Sequence, residues 1–526
     1  MKNEKGSAIA YALVVIVILG MLLSSLLTFI SSRLTAGYRA ESKQEALQVA
    51  EAGVFFYRWY LAHNTDGRTA QQIDNFWSGT PIGVGSVYED DFEDPWGDPI
   101  GRYQISIEPP IQGSTIANAT VVGWTNKYPL TKRTIKIRFR RPSWSENIVL
   151  ADDDMRFGNG TTVSGKIHSN KGIRFDGLAL GNVSSTLGTY NDPDHLGGNE
   201  IGVHTHKLID GTVNDTFRAA ESNPASIPIR TDVFPAGRRI LVPEIPFNTL
   251  VSDLGFMRAE AAIKYDNAGV GRRIILKENG NFDTCKVNSY SIAPETNCGS
   301  SISLPGDATS ATNAIINYFG TVSGATGGNA WKNGTSCFTT AGCIAGAFNF
   351  IGGTNGICTV NLTTAAIPDN GIIFVANNVW VDGVINNKKV TIVAAELDDE
   401  PGYTAVKKNI FIGMNNISYT NHDGRDIIGL IAQNNILTIR DSQNFLEIDA
   451  ALLAKDGKVG RCYYNGIIKN TITINGSLAT KIRYGFAYGN TGYINRNLNF
   501  DDDLLYYPPP YFPTGSQYAV DLWEEQ

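Results

Sequence analysis

The chain has 526 residues, more than one hydrophobic core usually organises, so two or three folded units are predicted. Only 18% of its residues are charged, while glycine alone accounts for 54 residues, which favours β-structure with many turns over a helical protein. The net charge of −7 gives no support for binding to nucleic acid or to an anionic membrane surface, because both attract basic proteins.

The first predicted element is an apolar helix behind a short charged leader. Residues 1–6 carry charges, whereas residues 7–32 carry none. As a helix, residues 8–30 rise about 35 Å, enough to cross a hydrocarbon core of roughly 30 Å. A cut after Gly6 would leave the apolar helix on the mature chain, whereas a secretory signal is cut after its apolar core. The alternative is a signal anchor that is never cleaved.

The helix is predicted to continue beyond the membrane, since residues 33–61 contain no proline. One apolar stripe follows spacings of three and four, which is typical of a helix that packs by one face. The stripe consists of Leu47, Ala50, Val54, Tyr57 and Leu61.

The leader, the helix and the segment Glu-Ala-Leu-Gln-Val-Ala-Glu-Ala-Gly-Val at residues 45–54 together resemble the N-terminal region of PilX-type minor pilins of type IV pili. The resemblance covers residues 1–62 strongly and 63–150 weakly. It implies a class III leader cut between Gly6 and Ser7 by a prepilin peptidase, methylation of the new terminus, and other pilins and the pilus assembly machinery as partners. The matching residues of the helix signature are Ala46, Leu47, Ala50, Glu51, Ala52 and Gly53.

Tyr11 departs from the family pattern. Pilins that pack inside a filament usually carry Glu at the fifth mature position, which is Tyr11 in this chain. That Glu pairs with a neighbour's amino terminus inside the apolar bundle, where an unpaired charge is costly. Within the resemblance, Tyr11 therefore implies a tip, initiating or low-abundance subunit.

Residues 63–147 are predicted to form a small pilin-like β-unit packed on the helix, with strands at 103–107, 119–124 and 134–139. The basic stretch at 132–141 alternates apolar and cationic residues, which indicates a strand with one solvated cationic face. A docking face for another pilin is the alternative. Arg141 and Pro142 mark a plausible boundary.

Residues 148–526 are predicted to form a β-solenoid of the right-handed β-helix kind. The pattern apolar-x-Gly-x-apolar recurs at 163–167, 381–385 and 474–478, and short alternating strands broken by Gly or Asn corners suit stacked coils. A β-sandwich with many hairpins is the alternative. Residues 190–370 interrupt the pattern as a loop-rich insertion, and the Tyr- and Pro-rich segment 506–513 is interpreted as an extended strap, since it cannot continue a ladder. The fold class is thus mainly β behind a long N-terminal helix.

All six cysteines lie beyond the membrane helix, where an exported domain meets an oxidising compartment and disulfides form. Cys285–Cys298 and Cys337–Cys343 are predicted as local pairs, because each would close a short loop. Free buried thiols are the alternative.

The richest group of potential metal ligands lies at residues 191–206. In an extended segment His204 and His206 point to the same face, as metal binding needs. Asp192, Asp194 and His195 could complete a shell. Their spacing matches no defined site, so a polar turn followed by an exposed strand is the preferred interpretation, and no cofactor is predicted.

The sequence contains no recognised catalytic motif, and the Asp triplets at 152–154 and 501–503 are interpreted as solvated turns. The predicted protein is not an enzyme. It is a pilin-like structural or adhesion protein, single-pass in the membrane before assembly and displayed at the cell surface or on a pilus afterwards, with a surface glycan or host cell as a candidate ligand. The alternative is a membrane-anchored solenoid enzyme that degrades glycans with grouped carboxylates.

Overall fold

The computed structural model describes residues 5–111, 114–247, 250–267, 271–287, 363–439, 442–464 and 466–526. The fold is mainly β behind a long N-terminal helix, α1 (Lys5–Thr65), and the described residues also contain two shorter helices, α2 (Ala70–Ser78) and α3 (Leu250–Glu260). Single 3₁₀ turns lie at Trp144–Glu146, Ala219–Glu221 and Asp502–Leu505.

The strands of the described residues are numbered in chain order. They are β1 (Tyr88–Glu93), β2 (Pro99–Glu108), β3 (Ile116–Thr125), β4 (Lys132–Arg140), β5 (Val149–Ala151), β6 (Met155–Phe157), β7 (Thr161–Ser164), β8 (Ile167–Ser169), β9 (Ile173–Phe175), β10 (Leu178–Ala179), β11 (Val183–Ser185), β12 (Thr189–Tyr190), β13 (Glu200–Ile201), β14 (Val203–His204), β15 (Arg238–Arg239), β16 (Ile263–Tyr265), β17 (Gly271–Leu276), β18 (Asn281–Val287), β19 (Thr363–Ala366), β20 (Ile372–Val375), β21 (Val379–Ile385), β22 (Lys389–Ala394), β23 (Ile410–Ile412), β24 (Ile417–Tyr419), β25 (Ile427–Ala432), β26 (Ile436–Thr438), β27 (Phe445–Ala454), β28 (Val459–Arg461), β29 (Ile468–Thr480), β30 (Ala487–Tyr488), β31 (Thr491–Phe500) and β32 (Ala519–Glu525).

The second half of α1 packs across an antiparallel sheet in the order β1-β2-β3-β4-β32. The predicted stripe faces this sheet: Ala50, Val54, Tyr57 and Leu61 are buried, and Leu47 packs at its margin. The strands predicted at 103–107, 119–124 and 134–139 lie within β2, β3 and β4.

Small residues let the helix backbone touch the sheet. A Cβ atom at Gly123 of β3 would lie 2.3 Å from the Ala50 amide nitrogen and 2.6 Å from the Ala46 carbonyl oxygen. A Cβ atom at Gly53 would lie 2.8 Å from Cγ1 of Val121. Gly123 and Gly53 are therefore points where no larger side chain fits, and Ala46 and Ala50 of the pilin-type signature supply the helix backbone that Gly123 touches.

The remaining strands stack mostly in parallel and build the predicted β-solenoid. One stack runs in the order β16, β20, β22, β25, β27, β29, β5, β8, β11 and β15. A second runs β17, β21, β24, β27, β29, β31, β7 and β10. Shorter stacks join β21, β23, β26 and β28, and β6, β9 and β14. The β-sandwich alternative would have required antiparallel sheets.

Two distant chain segments complete one continuous stack. β29 pairs with β5, with Leu478 opposite Val149, and β31 pairs with β7, with Leu498 opposite Val163. The coil that begins the solenoid in sequence thus lies in the middle of the stack, and we call this junction the seam. The carbonyl and amide groups at the open end of each segment are satisfied by the other segment.

Buried asparagines connect successive coils. The side-chain amide of Asn409 donates to Oδ1 of Asn378 at 3.3 Å, and that of Asn435 donates to Oδ1 of Asn409 at 3.0 Å. None of these three asparagines has a positive φ angle, so they do not serve as left-handed corners. They stabilise the corners by a ladder of side-chain hydrogen bonds instead.

The end of the chain returns to the first sheet. Pro510 in the strap accepts a hydrogen bond from Thr391 Oγ1 at 2.5 Å, after which β32 pairs antiparallel with β4. Residues 519–525 therefore lie in the sheet that the sequence limited to 63–147, and the solenoid is inserted between β4 and β32. Asp521 of β32 binds Arg138 and Arg140 at 2.8 and 3.0 Å, so part of the cationic face is paired within the chain.

The cysteine predictions fall mostly outside the described residues, which is where Cys298, Cys337 and Cys343 lie. Cys285 is a residue of β18, and Cys462 is disulfide-bonded. The pairs Cys285–Cys298 and Cys337–Cys343 stay predictions.

Candidate functional sites

The first candidate site is the free half of α1. Residues 9–41 of this helix are exposed, and its apolar window has a mean hydropathy of 2.8, long and apolar enough to cross a membrane. The same helix, without interruption, then buries its second half against the sheet. Gly6 and Ser7 lie in its first turn, and Tyr11 lies on the exposed apolar part.

The second candidate site is a buried cluster of histidines and carboxylates near one end of the solenoid, which we call the His–carboxylate cluster. It consists of Asp192, His195, Glu200, His204 and His206, and one potential ligand atom from each lies within 4.8 Å of all the others. Asp192 follows β12, Glu200 lies in β13, and His204 lies in β14, which stacks on β9. The topology of these short strands brings residues of one loop and two strands to a common centre.

The inward-facing atoms converge on one carboxylate oxygen. Oε2 of Glu200 lies 2.9 Å from Nε2 of His195, 3.1 Å from Nε2 of His204 and 3.1 Å from Nε2 of His206. Oδ2 of Asp192 lies 3.4 Å from Nε2 of His204 and 3.6 Å from Nε2 of His195.

The cluster is closed to solvent. Each of the five side chains is 3% exposed or less. The preferred interpretation of this segment as an exposed strand was wrong, because β14 stacks within the solenoid and residues 207–218 fold over it.

The outward-facing atoms of the cluster are held by backbone groups. Nδ1 of His206 donates to the carbonyl oxygen of Asn214 at 2.7 Å, and Oε1 of Glu200 accepts from the amide of Arg218 at 2.8 Å. The neutral form of His206 therefore carries no proton on Nε2, the atom that faces Glu200. Neither ring nitrogen of His204 has a hydrogen-bond partner among the described residues.

A buried arginine borders the cluster without neutralising it. Nη1 of Arg174 lies 3.7 Å from Oδ2 of Asp192, but the same guanidinium binds Asp176 at 2.8 Å and also contacts Asp215. Burial opposes the ionisation of Glu200, but a hydrogen bond from His206 in its cationic form, protonated on both ring nitrogens, and one from the Arg218 amide lower the pKa of Glu200 to about 2. Glu200 and Asp192 are thus two anionic groups at the centre.

The sequence identified most of this cluster but misplaced one member. Asp194 points away and binds Arg483 of the other chain segment at 3.1 Å, while Glu200 takes the place at the centre. The signal for Glu200 was its spacing of four residues before His204, which is uninformative until the strand pairing is known.

The Asp triplet at 152–154 lies at the seam, and each carboxylate has a cationic partner. Asp152 contacts Lys481, Asp153 binds Lys171 at 2.6 Å, and Asp154 lies 3.4 Å from Arg483. In the second triplet, Asp501 accepts from the amide of Asp503 at 3.0 Å at the start of a 3₁₀ turn. The first triplet therefore has paired carboxylates in place of a solvated turn, whereas the second triplet does lie at a turn, in which Asp502 is exposed.

No family model matches the chain, and no curated protein matches it. Among solved structures, the chain is similar to the competence-associated pilin ComZ from Thermus thermophilus, with 12% identity over 92% of this chain and 97% of that chain. The TM-score is 0.32, and a superposition at this score does not relate individual residues of the two proteins.

Proposed function

We propose that the protein is a pilin-like subunit of a type IV pilus or related filament, held in the membrane by the first half of α1 before assembly. The observation that carries this proposal is the division of one unbroken helix into an exposed apolar half and a half buried against a sheet. An exposed apolar helix of this length requires either lipid or a bundle of similar helices around it. A filament core supplies the second environment after the membrane has supplied the first.

The insertion of the solenoid supports a display role. The chain leaves the sheet after β4 and returns to it as β32, so the solenoid is attached at one edge of the sheet. The second half of α1 packs on β2, β3 and β4, whereas residues 9–41, which include its apolar half, are exposed. Assembly through α1 therefore leaves the solenoid available for a structural or adhesive role outside the cell, with a surface glycan or host cell as the proposed ligand.

Processing tests the membrane and filament part of the proposal. Mass spectrometry of the mature protein from assembled filaments should find Ser7 at the amino terminus. Gly6→Leu should block this cut and leave membrane insertion intact, because the apolar run is untouched. Gly20→Leu is the matched control, since a side chain at Gly20 meets no atom within 4 Å, and it should be processed normally. An intact Met1 terminus in assembled filaments would refute the proposal.

A minor or tip position is the finer part of the proposal, supported by Tyr11 in place of a carboxylate and by the large inserted domain. Quantitative proteomics of sheared filaments should detect this chain as a trace component beside a dominant pilin. Its recovery as the dominant subunit would exclude the minor role while leaving the pilin-like assignment in place.

A binding role is proposed in preference to a glycan-degrading one, because Asp152, Asp153 and Asp154 are each paired with Lys or Arg. A catalytic pair needs one carboxyl group that is free to protonate the leaving group and a second that is free to attack or to activate water. A polysaccharide turnover screen decides between the two roles. Turnover by the wild-type protein that is lost in Asp154→Asn would establish the enzyme.

A further inference from the structure

We propose that Asp192, His195, Glu200, His204 and His206 bind one divalent transition-metal ion, and that this ion has a structural role near the end of the solenoid. The proposal concerns the inserted domain and does not depend on the pilin-like function.

The distances between the side chains are those of ligands around a shared ion. Donor atoms about 2.1 Å from a metal are separated by about 3.0 Å at right angles and about 3.4 Å at tetrahedral angles. Five of the ten separations between the ligand atoms of the His–carboxylate cluster run from 2.9 to 3.6 Å, and all ten lie within 4.8 Å. Packing between unrelated buried side chains does not require three ring nitrogens and two carboxylate oxygens to point at one centre.

Hydrogen bonds alone do not satisfy this arrangement. Three Nε2 atoms approach the single oxygen Oε2 of Glu200, which has two lone pairs to offer. In the tautomer fixed by Asn214, Nε2 of neutral His206 presents a lone pair to that oxygen as well. His204 is fully buried and has no hydrogen-bond partner for either ring nitrogen among the described residues. Lone pairs that face each other in a dry site are costly unless a cation lies between them.

The charge of the cluster also matches a dication. Arg174 binds Asp176, and Asp215 is shared between Arg174 and Arg156, which leaves the two carboxylates Asp192 and Glu200 with three imidazoles. Metal binding requires ionised carboxylates and neutral imidazoles, so the five ligands together carry a charge of −2. A divalent ion neutralises this charge.

The donor set indicates the class of metal. Imidazole nitrogen suits zinc, copper, iron and nickel, whereas calcium and magnesium prefer shells made of oxygen. Because all five protein ligands are buried, no coordination position is open to a substrate from solvent, and a structural site is closed in this way. Zn²⁺, which has no redox chemistry, is the expected occupant.

The position of the cluster shows which segments of the chain the ion would connect. It connects the loop after β12 to β14 and, through Asn214 and Arg218, to the segment that covers the site. The same loop carries Asp194 to Arg483 on the far side of the seam. Terminal coils of a solenoid have a neighbour on one side only and need extra stabilisation, which a metal ion can provide by fixing residues 192–206 in one conformation.

Metal content of the intact protein is the primary test. The full-length chain is purified in detergent with a tag that contains no histidine and is then incubated with Zn²⁺. Excess metal is removed by gel filtration, and the zinc content is measured by inductively coupled plasma mass spectrometry. We expect about one zinc per chain, and retention after mild chelation. His204→Ala and Asp192→Asn should each lower the content at least tenfold. His422→Ala is the matched control, since His422 is exposed and lies outside the cluster, and it should keep the wild-type content.

A second measurement does not depend on whether the variants fold. Strong chelation of the wild-type protein should increase hydrogen exchange in residues 190–218 before other parts of the solenoid, and zinc should reverse the change. Substitution of Co²⁺ should give visible absorption bands of nitrogen and oxygen coordination. Wild-type protein without zinc after this loading, or equal zinc content in wild type and His204→Ala, would overturn the proposal and leave a metal-free imidazole–carboxylate network.

Discussion

Gly123→Ala should weaken the packing of α1 against its sheet. The added methyl group would lie 2.3 Å from the Ala50 nitrogen, 2.6 Å from the Ala46 oxygen and 2.8 Å from the Ala50 Cα atom. Ordinary contacts begin near 3.4 Å, so the helix would have to move by about 1 Å along a tightly packed interface. The clashing atoms belong to the helix backbone and cannot rotate away. We therefore expect a loss of about 3 kcal/mol, the upper part of the usual range for overpacking, reduced only slightly by the better strand propensity of Ala.

Calorimetry of the full-length protein in detergent checks this value. A loss of about 3 kcal/mol should lower the Tm of the helix–sheet unit by roughly 10 °C. Gly37→Ala is the matched control, because a side chain at Gly37 meets no atom within 4 Å, and it should be neutral or stabilise by up to about 1 kcal/mol. The double variant Gly123→Ala/Ala50→Gly should show no rescue, since the contacts involve backbone atoms of Ala50. An unchanged Tm in Gly123→Ala, or full rescue in the double variant, would refute the packing described for this interface.

Two further predictions concern the solenoid. Asn409→Ala removes the acceptor for the Asn435 amide and the donor to Asn378, so urea unfolding should show a loss of about 2 kcal/mol, and a loss below about 0.5 kcal/mol would contradict the ladder. Burial raises the pKa of Asp501 to about 6, which means that ionisation of this carboxyl group opposes folding above that pH and that its protonation favours folding below it. Asp501→Asn keeps the oxygen that caps the 3₁₀ turn and removes the buried charge, so it should stabilise the protein by about 1–2 kcal/mol at pH 7.5. The difference in stability between the two proteins should vanish as the pH falls through 6 towards 4. Equal stability of the two proteins at pH 7.5 would contradict the raised pKa.

Local patterns in the sequence determined the long helix and the face that it buries. The spacing of Ala50, Val54, Tyr57 and Leu61 places them on one side of a helix whatever the helix meets. The small residues of the pilin-type signature could be recognised, but the reason for their size could not. Gly123, which they contact, lies on a strand that is distant in sequence.

The solenoid and the candidate metal ligands could be predicted from the sequence only in part. Alternating strands with Gly and Asn corners predicted stacked coils. The segment 191–206 contained all five clustered residues, and four of them were among the candidate ligands named from the sequence. The sequence predicted Asp194 as a ligand in the place that Glu200 takes in the structure, because the carboxylate that faces the centre is decided only when β13 and β14 form. Asp194 and Glu200 both offer a carboxylate within the same short segment, so the sequence does not distinguish them. Only the strand geometry turns Glu200 towards the histidines and Asp194 towards Arg483.

The tertiary structure alone decided how the chain closes on itself. β32 returns to the first sheet, and β29 stacks on β5 at the seam, although no local pattern in either strand specifies its distant partner. Periodicity along a chain determines which face of a helix or strand is apolar, because that depends only on the dihedral angles of neighbouring residues. Which strand covers an open edge depends instead on the free energy of the whole fold, since each unpaired ladder must find its hydrogen bonds somewhere in the molecule.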